Sequence, residues 1–142
     1  MKITPSITVS FNGTCEEAMS FYAQSLGGKR GMTMTWGRSP MAKDAPAGWG
    51  DKILYADINI GGVGLAGGDM PPDGYKAPTG IGIMLNIADV ADAERVFKEL
   101  SDGGKVDMPL SETFWALRYG GVTDKFGVPW QINCGKPEFP VA

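Results

Sequence analysis

Two short alternating runs carry the polar side chains best placed to do chemistry. In "ILYADINI" (53–60), Tyr55, Asp57 and Asn59 occupy every second position, and in "PWQINC" (129–134) Gln131 and Asn133 do the same. A spacing of two puts each set on one face of a strand. Thr8, in "SITVSF" (6–11), joins them as a hydroxyl on an equally regular alternation. A phenol, a carboxylate, amides and a hydroxyl spread over several strands offer donors and acceptors to a small organic molecule. Asp57 beside Tyr55 suits a general base if burial raises its pKa; the plainer alternative is a strand-edge carboxylate with a structural hydrogen bond. Arg118, in "TFWALRYGG" (113–121), shares a side with Phe114 and Ala116. It is the cation expected to face the same cleft, where it could grip a carboxylate or phosphate bidentately. Its alternative is a salt bridge to Asp57 or Glu112.

Other chemistries are excluded by what the chain lacks. There is no histidine, so neither a Ser-His nor a Cys-His pair can form and no imidazole can ligate a metal. Cys15 and Cys134 are too few and too far apart for a disulfide framework or a zinc ribbon. Cys15 falls in the first turn of an expected helix, where the helix dipole would lower its pKa. A net charge of −3 supplies no basic field for nucleic acid. No apolar run approaches the ~18 residues of a membrane span, and Met1–Lys2 leads into no signal-peptide pattern, so a cytoplasmic location is expected.

The elements that must position these residues come in two copies. "TCEEAMSFYAQSLGG" (14–28) and "DVADAERVFKELSDGG" (89–104) superimpose at an offset of 75, with Ala18 on Ala93, Tyr22 on Phe97 and Gly28 on Gly103. Thr14 and Glu17 compose a capping box for the first helix, whose stripe is Ala18, Phe21, Tyr22 and Leu26. Asp89 caps the second, whose stripe is Val90, Ala93, Val96, Phe97 and Leu100. A strand precedes each helix, at 6–11 and 81–87. Three follow each: 30–36, 53–60 and 62–66 in the first copy, then 105–108, 113–120 and 128–134 in the second. One domain of 142 residues thus holds module one (1–68), a Gly- and Pro-rich linker (69–79) and module two (80–136). The loop 37–52 holds the extra residues of the first copy, and Trp49 within it suits a lid, a dimer arm or a loose loop. Each four-stranded sheet has a helix on one face and leaves the other open.

"ITPSITVSFNGTCEEAMSFYAQSLGG", "GIGIMLNIADVADAERVFKELSDGGKVDMPLSETFWA" and "VTDKFGVPWQINC", in that order, resemble the vicinal oxygen chelate superfamily of glyoxalases, bleomycin-resistance proteins and dioxygenases, and within it the PhnB-like branch. The resemblance implies an α+β fold of two tandem βαβββ modules whose mixed sheets curl around a cleft, commonly completed in a homodimer. It also implies four metal-ligand places, here at about Ser6 to Thr8, near Ala66, near Gly82 and at Gln131. Of these only Gln131 offers a side chain able to coordinate, and weakly. Tyr55 stands where histidine is common among relatives. No metal and no cofactor are therefore expected. The methyltransferase label attached to parts of this branch fails too, because no glycine-rich strand-to-helix turn exists to cradle S-adenosylmethionine.

The expected function is metal-independent binding of a small organic molecule by Thr8, Tyr55, Asp57, Asn59, Arg118, Gln131 and Asn133. The alternatives are an enzyme of the same superfamily (a lyase, isomerase or dioxygenase) working without metal, and an interaction scaffold.

Overall fold

The computed structural model describes residues 1–141, and they divide into two compact units, Met1–Ala77 and a second from Pro78 onward. In the first, β1 (Ile7–Phe11) leads to α1 (Cys15–Leu26), then to β2 (Lys29–Thr35), β3 (Ile53–Ile60) and β4 (Val63–Asp69). The second repeats the plan with β5 (Ile83–Asn86), α2 (Val90–Ser101), β6 (Lys105–Ser111), β7 (Ala116–Thr123) and β8 (Pro129–Gly135). The sheets are ordered β1-β4-β3-β2 and β5-β8-β7-β6. In each, the strand before the helix lies parallel to the last strand, and the remaining pairs are antiparallel. This is the expected pair of βαβββ modules with mixed sheets. None of the helices among the described residues is long and apolar enough to cross a membrane.

The repeat is close through the helices, because α1 and α2 keep the offset of 75 at both ends. It slips between the second and third strands. The first unit spends residues 36–52 there, with a single 3₁₀ turn at Ala42–Asp44, whereas the second needs only 112–115. That loop is tied down at its base. Trp36 and Gly37 donate backbone N–H groups to Lys52 and Gly50, and the indole N–H of buried Trp36 donates to the Asp69 carbonyl at 3.2 Å. The β3–β4 connection is the two-residue turn Gly61–Gly62, with φ of 58° and 89°. Both values are left-handed, as a tight hairpin of right-twisting strands demands.

Each helix buries one stripe on its own sheet. For α2 the buried stripe is Ala93, Val96 and Leu100, against Val122, Trp130 and Ile132. For α1 it is Cys15, Ala18, Met19, Tyr22 and Ser25. This shifts the expected stripe, since Phe21 and Leu26 are only half-buried and Met19 is fully buried. Each large side chain so buried contributes about 1.5–3 kcal/mol.

Two further expectations change. Thr14 makes no side-chain cap, its backbone lying at φ −116°, ψ 16°. The first helical N–H instead donates to Asp69 Oδ1 at 2.9 Å, while the other oxygen of that carboxylate accepts from the Ile53 N–H at 2.9 Å. Asp89 caps α2 as expected, accepting from the Ala91 N–H at 2.7 Å. The strand expected at 113–120 begins only at Ala116, because Thr113 folds back on it. The Ala116 N–H donates to Thr113 Oγ1 at 3.0 Å, and the Thr113 N–H donates to the Ala116 carbonyl.

Candidate functional site

The alternation of β3 turns Ala56 and Ile58 into the core and leaves Tyr55, Asp57 and Asn59 on the open face. In β4, Ala66 lies beside Asp57 and Gly64 beside Asn59, so small residues form a floor next to the polar ones. Ser6, just before β1, and Lys29 and Gly31 from β2 add the rest of the wall. Together they enclose a groove of about 380 Å³ on the first sheet, within the range of small-molecule sites.

Asp57 is the centre of this groove. One carboxylate oxygen accepts from the Tyr55 phenol at 3.0 Å and the other from the Met32 backbone N–H at 3.1 Å. The hydrogen bond to Asp57, followed by burial and the carboxylate's charge, raises the Tyr55 pKa above its ordinary value. The phenol therefore stays protonated as a donor to Asp57, and its oxygen lone pairs remain available to accept from a ligand. Gly31 makes this geometry possible. A Cβ there would sit 2.0 Å from Asp57 Oδ1, so any larger residue would push the carboxylate away. Asn59 turns part of its amide to structure, since its Oδ1 accepts from the Gly62 N–H at 2.9 Å in the hairpin turn. Thr8 is exposed and in register with Ala66, although the groove wall on that side is Ser6. Lys29 makes no ion pair among the described residues.

On the second sheet, Gln131 and Asn133 alternate along β8 with buried Trp130, Ile132 and Cys134, but only Gln131 keeps some exposure, and Asn133 is itself buried. Asn133 Nδ2 donates to Asn86 Oδ1 at 3.1 Å. Arg118 does not join them. Its Nε donates to Glu94 Oε1 at 3.1 Å, and Glu94 belongs to α2, so Arg118 lies on the helix-covered face. Of its expected partners, Glu112 pairs with Lys136 at 2.8 Å, and the Asp57 carboxylate is taken up by the Tyr55 phenol and the Met32 N–H. The reason is visible at Gly120, where a Cβ would meet the Phe97 ring of α2 at 2.9 Å. The even-numbered positions of β7 face the helix and bring Arg118 with them. Trp115 and Tyr119, whose rings lie 5.1 Å apart, take the other side.

Cys15 also departs from the expected lowering of its pKa. Burial, then the nearby Asp69 and Glu16 charges, pushes its thiol up from 9.0 to about 12. Desolvation outweighs the helix dipole, and the buried thiol is not an activated nucleophile. Sequence reasoning missed Lys29, Gly31 and the Met32 N–H. The available signal was a glycine inside an expected strand, which marks a close approach by another group.

The four places that the family resemblance assigns to a metal hold an unsuitable donor set. Thr8 and Ala66 are paired neighbours in the first sheet. A Cβ on Gly82 in the second would lie 3.1 Å from Gln131 Nε2. One hydroxyl, one amide and two residues without donor side chains do not fit a divalent ion. Among the described residues no cluster of three or more His, Cys, Asp or Glu side chains occurs elsewhere.

Comparison with known proteins agrees with this architecture. Protein YjdN of Escherichia coli strain K12 is 34% identical over 146 residues, covering 97% of this chain and 98% of that protein. The crystal structure of protein PA1353 from Pseudomonas aeruginosa superimposes with a TM-score of 0.85 at 41% identity, over 94% of this chain and 98% of that one. The PhnB protein of Bacillus cereus shares the fold, with a TM-score of 0.79 at 20% identity over 92% and 98% of the two chains. The family model of the Glyoxalase/Bleomycin resistance protein/Dioxygenase superfamily matches residues 6–132, and the chain belongs to that superfamily.

Proposed function

We propose that this chain binds a small organic molecule on the open face of its first sheet, without a metal ion. The observation that carries the reading is the Tyr55–Asp57 pair in the floor of the 380 Å³ groove. The pair presents oxygen acceptors above the small residues Gly64 and Ala66. Such a surface favours a ligand with hydroxyl or amine donors and a compact apolar body, and Lys29 at the rim supplies one cation for an acidic substituent. Asn59 extends the polar surface along β3, and Thr8 adds a hydroxyl on β1, beyond β4. The donor set at the family's metal places supports metal independence, because it lacks the anionic or imidazole ligands that hold an ion against water.

The enzymatic alternative assigns Asp57 as general base, with the Tyr55 phenol as the group that positions it. The 3.0 Å contact between them favours this second reading only if a substrate proton comes within about 3 Å of Asp57. The family resemblance further supports action as a homodimer. A mass in solution equal to two chains at micromolar concentration is the expected result, and a monomer would count against it.

The deciding experiment is a thermal-shift panel of small hydroxy acids, amino alcohols and aromatic amines, run beside Zn²⁺, Ni²⁺ and Mn²⁺. At least one organic compound should raise the melting temperature of the wild type, and Asp57→Ala should abolish the gain. A panel in which only metal ions stabilise the protein would overturn the proposal.

A further inference from the structure

The turn between β1 and α1 is anchored at both ends. The Phe11 carbonyl accepts from the Met70 N–H at 2.9 Å, and the Cys15 N–H donates to Asp69 Oδ1 at 2.9 Å. Asp69 and Met70 are adjacent where β4 ends, and Asn12, Gly13 and Thr14 span the interval between the two anchors. Asn12 is exposed and Gly13 half-buried. Neither the Asn12 amide nor the Gly13 N–H makes a hydrogen bond among the described residues. The Lys52 ammonium donates to the Gly13 carbonyl at 2.8 Å, and a cation there favours the deprotonated form of the adjoining peptide nitrogen. Glycine adds no side chain to shield that nitrogen. The other asparagines are better protected. Asn59 and Asn86 precede the β-branched Ile60 and Ile87, and the Ile87 N–H is committed to the Asn133 carbonyl at 3.0 Å. Asn133 is 4% exposed.

We propose that Asn12–Gly13 is a self-modification site, where the chain deamidates through a succinimide and thereby loosens the anchor of α1. Hydroxide removes the Gly13 amide proton, and the nitrogen attacks Asn12 Cγ. The N–Cγ bond forms, the Cγ–Nδ2 bond breaks, and Nδ2 takes up a proton and leaves as ammonia. Water then opens the ring. Cleavage of the N–Cγ bond gives aspartate. Cleavage between that nitrogen and the Asn12 backbone carbonyl carbon gives isoaspartate, whose main chain is one methylene longer. A longer turn between two fixed anchors displaces one of them, and the Asp69 bond that caps α1 is weakened. This chemistry stands independently of the Tyr55–Asp57 groove.

The test incubates the full chain at mildly alkaline pH and follows each asparagine by peptide mass spectrometry, with electron-transfer fragmentation to separate aspartate from isoaspartate. Asn12 should convert at least about tenfold faster than Asn59, Asn86 or Asn133, because its attacking nitrogen is unshielded, and faster still as pH rises. Hydroxylamine present during the incubation should cleave the chain after Asn12, which reports the succinimide. The aged, isoaspartate-rich protein should unfold at a lower urea concentration than fresh protein. Asn12→Gln should stay unmodified and keep its midpoint through the same incubation. Asn12→Asp, which brings the new charge on a normal backbone, should match the fresh wild type. Conversion of Asn12 no faster than that of the other asparagines, or an aged protein as stable as the fresh one, would overturn the proposal. So would Asn12→Asp as unstable as the aged protein, since charge rather than chain length would then be the cause.

Discussion

The two units share a plan but are stitched differently. In the first, one buried carboxylate serves remote segments. Asp69 receives the N–H of Cys15, 54 residues away, and that of Ile53, while its carbonyl accepts from Trp36. In the second, the buried carboxylate is local. Asp124 accepts from the Phe126 and Val128 N–H groups at 2.9 Å and from the Trp130 indole at 2.8 Å, all in the β7–β8 turn or the start of β8. The helix caps follow suit, since α2 is capped by its own neighbour Asp89 and α1 by distant Asp69. A duplicated scaffold thus keeps its hydrophobic pattern while each copy satisfies its buried polar groups anew. The first unit, with its long 36–52 loop, needs a long-range tie to close its sheet onto its helix.

The largest expected effects come from those carboxylates. Asp69→Ala and Asp124→Ala each strand two buried N–H groups or more and should destabilise the protein by about 3 kcal/mol or more, read by urea unfolding. A loss below about 1 kcal/mol in either would break the comparison. Alkaline titration comes next. The Cys15 thiol is raised from 9.0 to about 12, so between those values the unfolded chain has released a proton that the folded chain retains. Its contribution is fully present below 9.0 and is lost as pH rises toward 12, by about 2 kcal/mol midway. Cys15→Ala should remove this component of the pH dependence; an unchanged slope would contradict the burial argument.

The caps give a smaller contrast. Asp89→Ala should cost about 1 kcal/mol and Thr14→Ala less than about 0.5 kcal/mol, measured by the same unfolding. Equal costs would restore the capping box. The smallest effect belongs to Arg118→Ala. Its pair with Glu94 is half-exposed, so the loss should stay below about 1 kcal/mol, and ligand-induced stabilisation should be unchanged. A reduced ligand response would return Arg118 to the binding face.

Much of this architecture was legible because periodicity speaks for it. The alternation of 53–60 separated Tyr55, Asp57 and Asn59 from Ala56 and Ile58 correctly, and the helix repeat survived at its full offset. What was illegible depended on partners far along the chain or on the identity of a face. Thr14-x-x-Glu17 is a sound local cap, yet Asp69 outcompeted it from a distant strand end. In β7 the parity of Arg118 was right but its face was not. The large residues Trp115 and Tyr119 pointed away from the helix, while Ala116 and Gly120, too small to look like core, made room for it. Gly31 was missed for a related reason, because its importance lies in the Asp57 carboxylate pressed against it.

Metal-free binding at Asp57 is tested most directly by the affinity of the wild type and of Asp57→Ala for a compound selected by the thermal-shift panel, measured with and without EDTA. It predicts wild-type binding that EDTA leaves unchanged and that Asp57→Ala weakens at least about tenfold. Binding abolished by EDTA and restored by a divalent ion, or binding indifferent to Asp57→Ala, would contradict it.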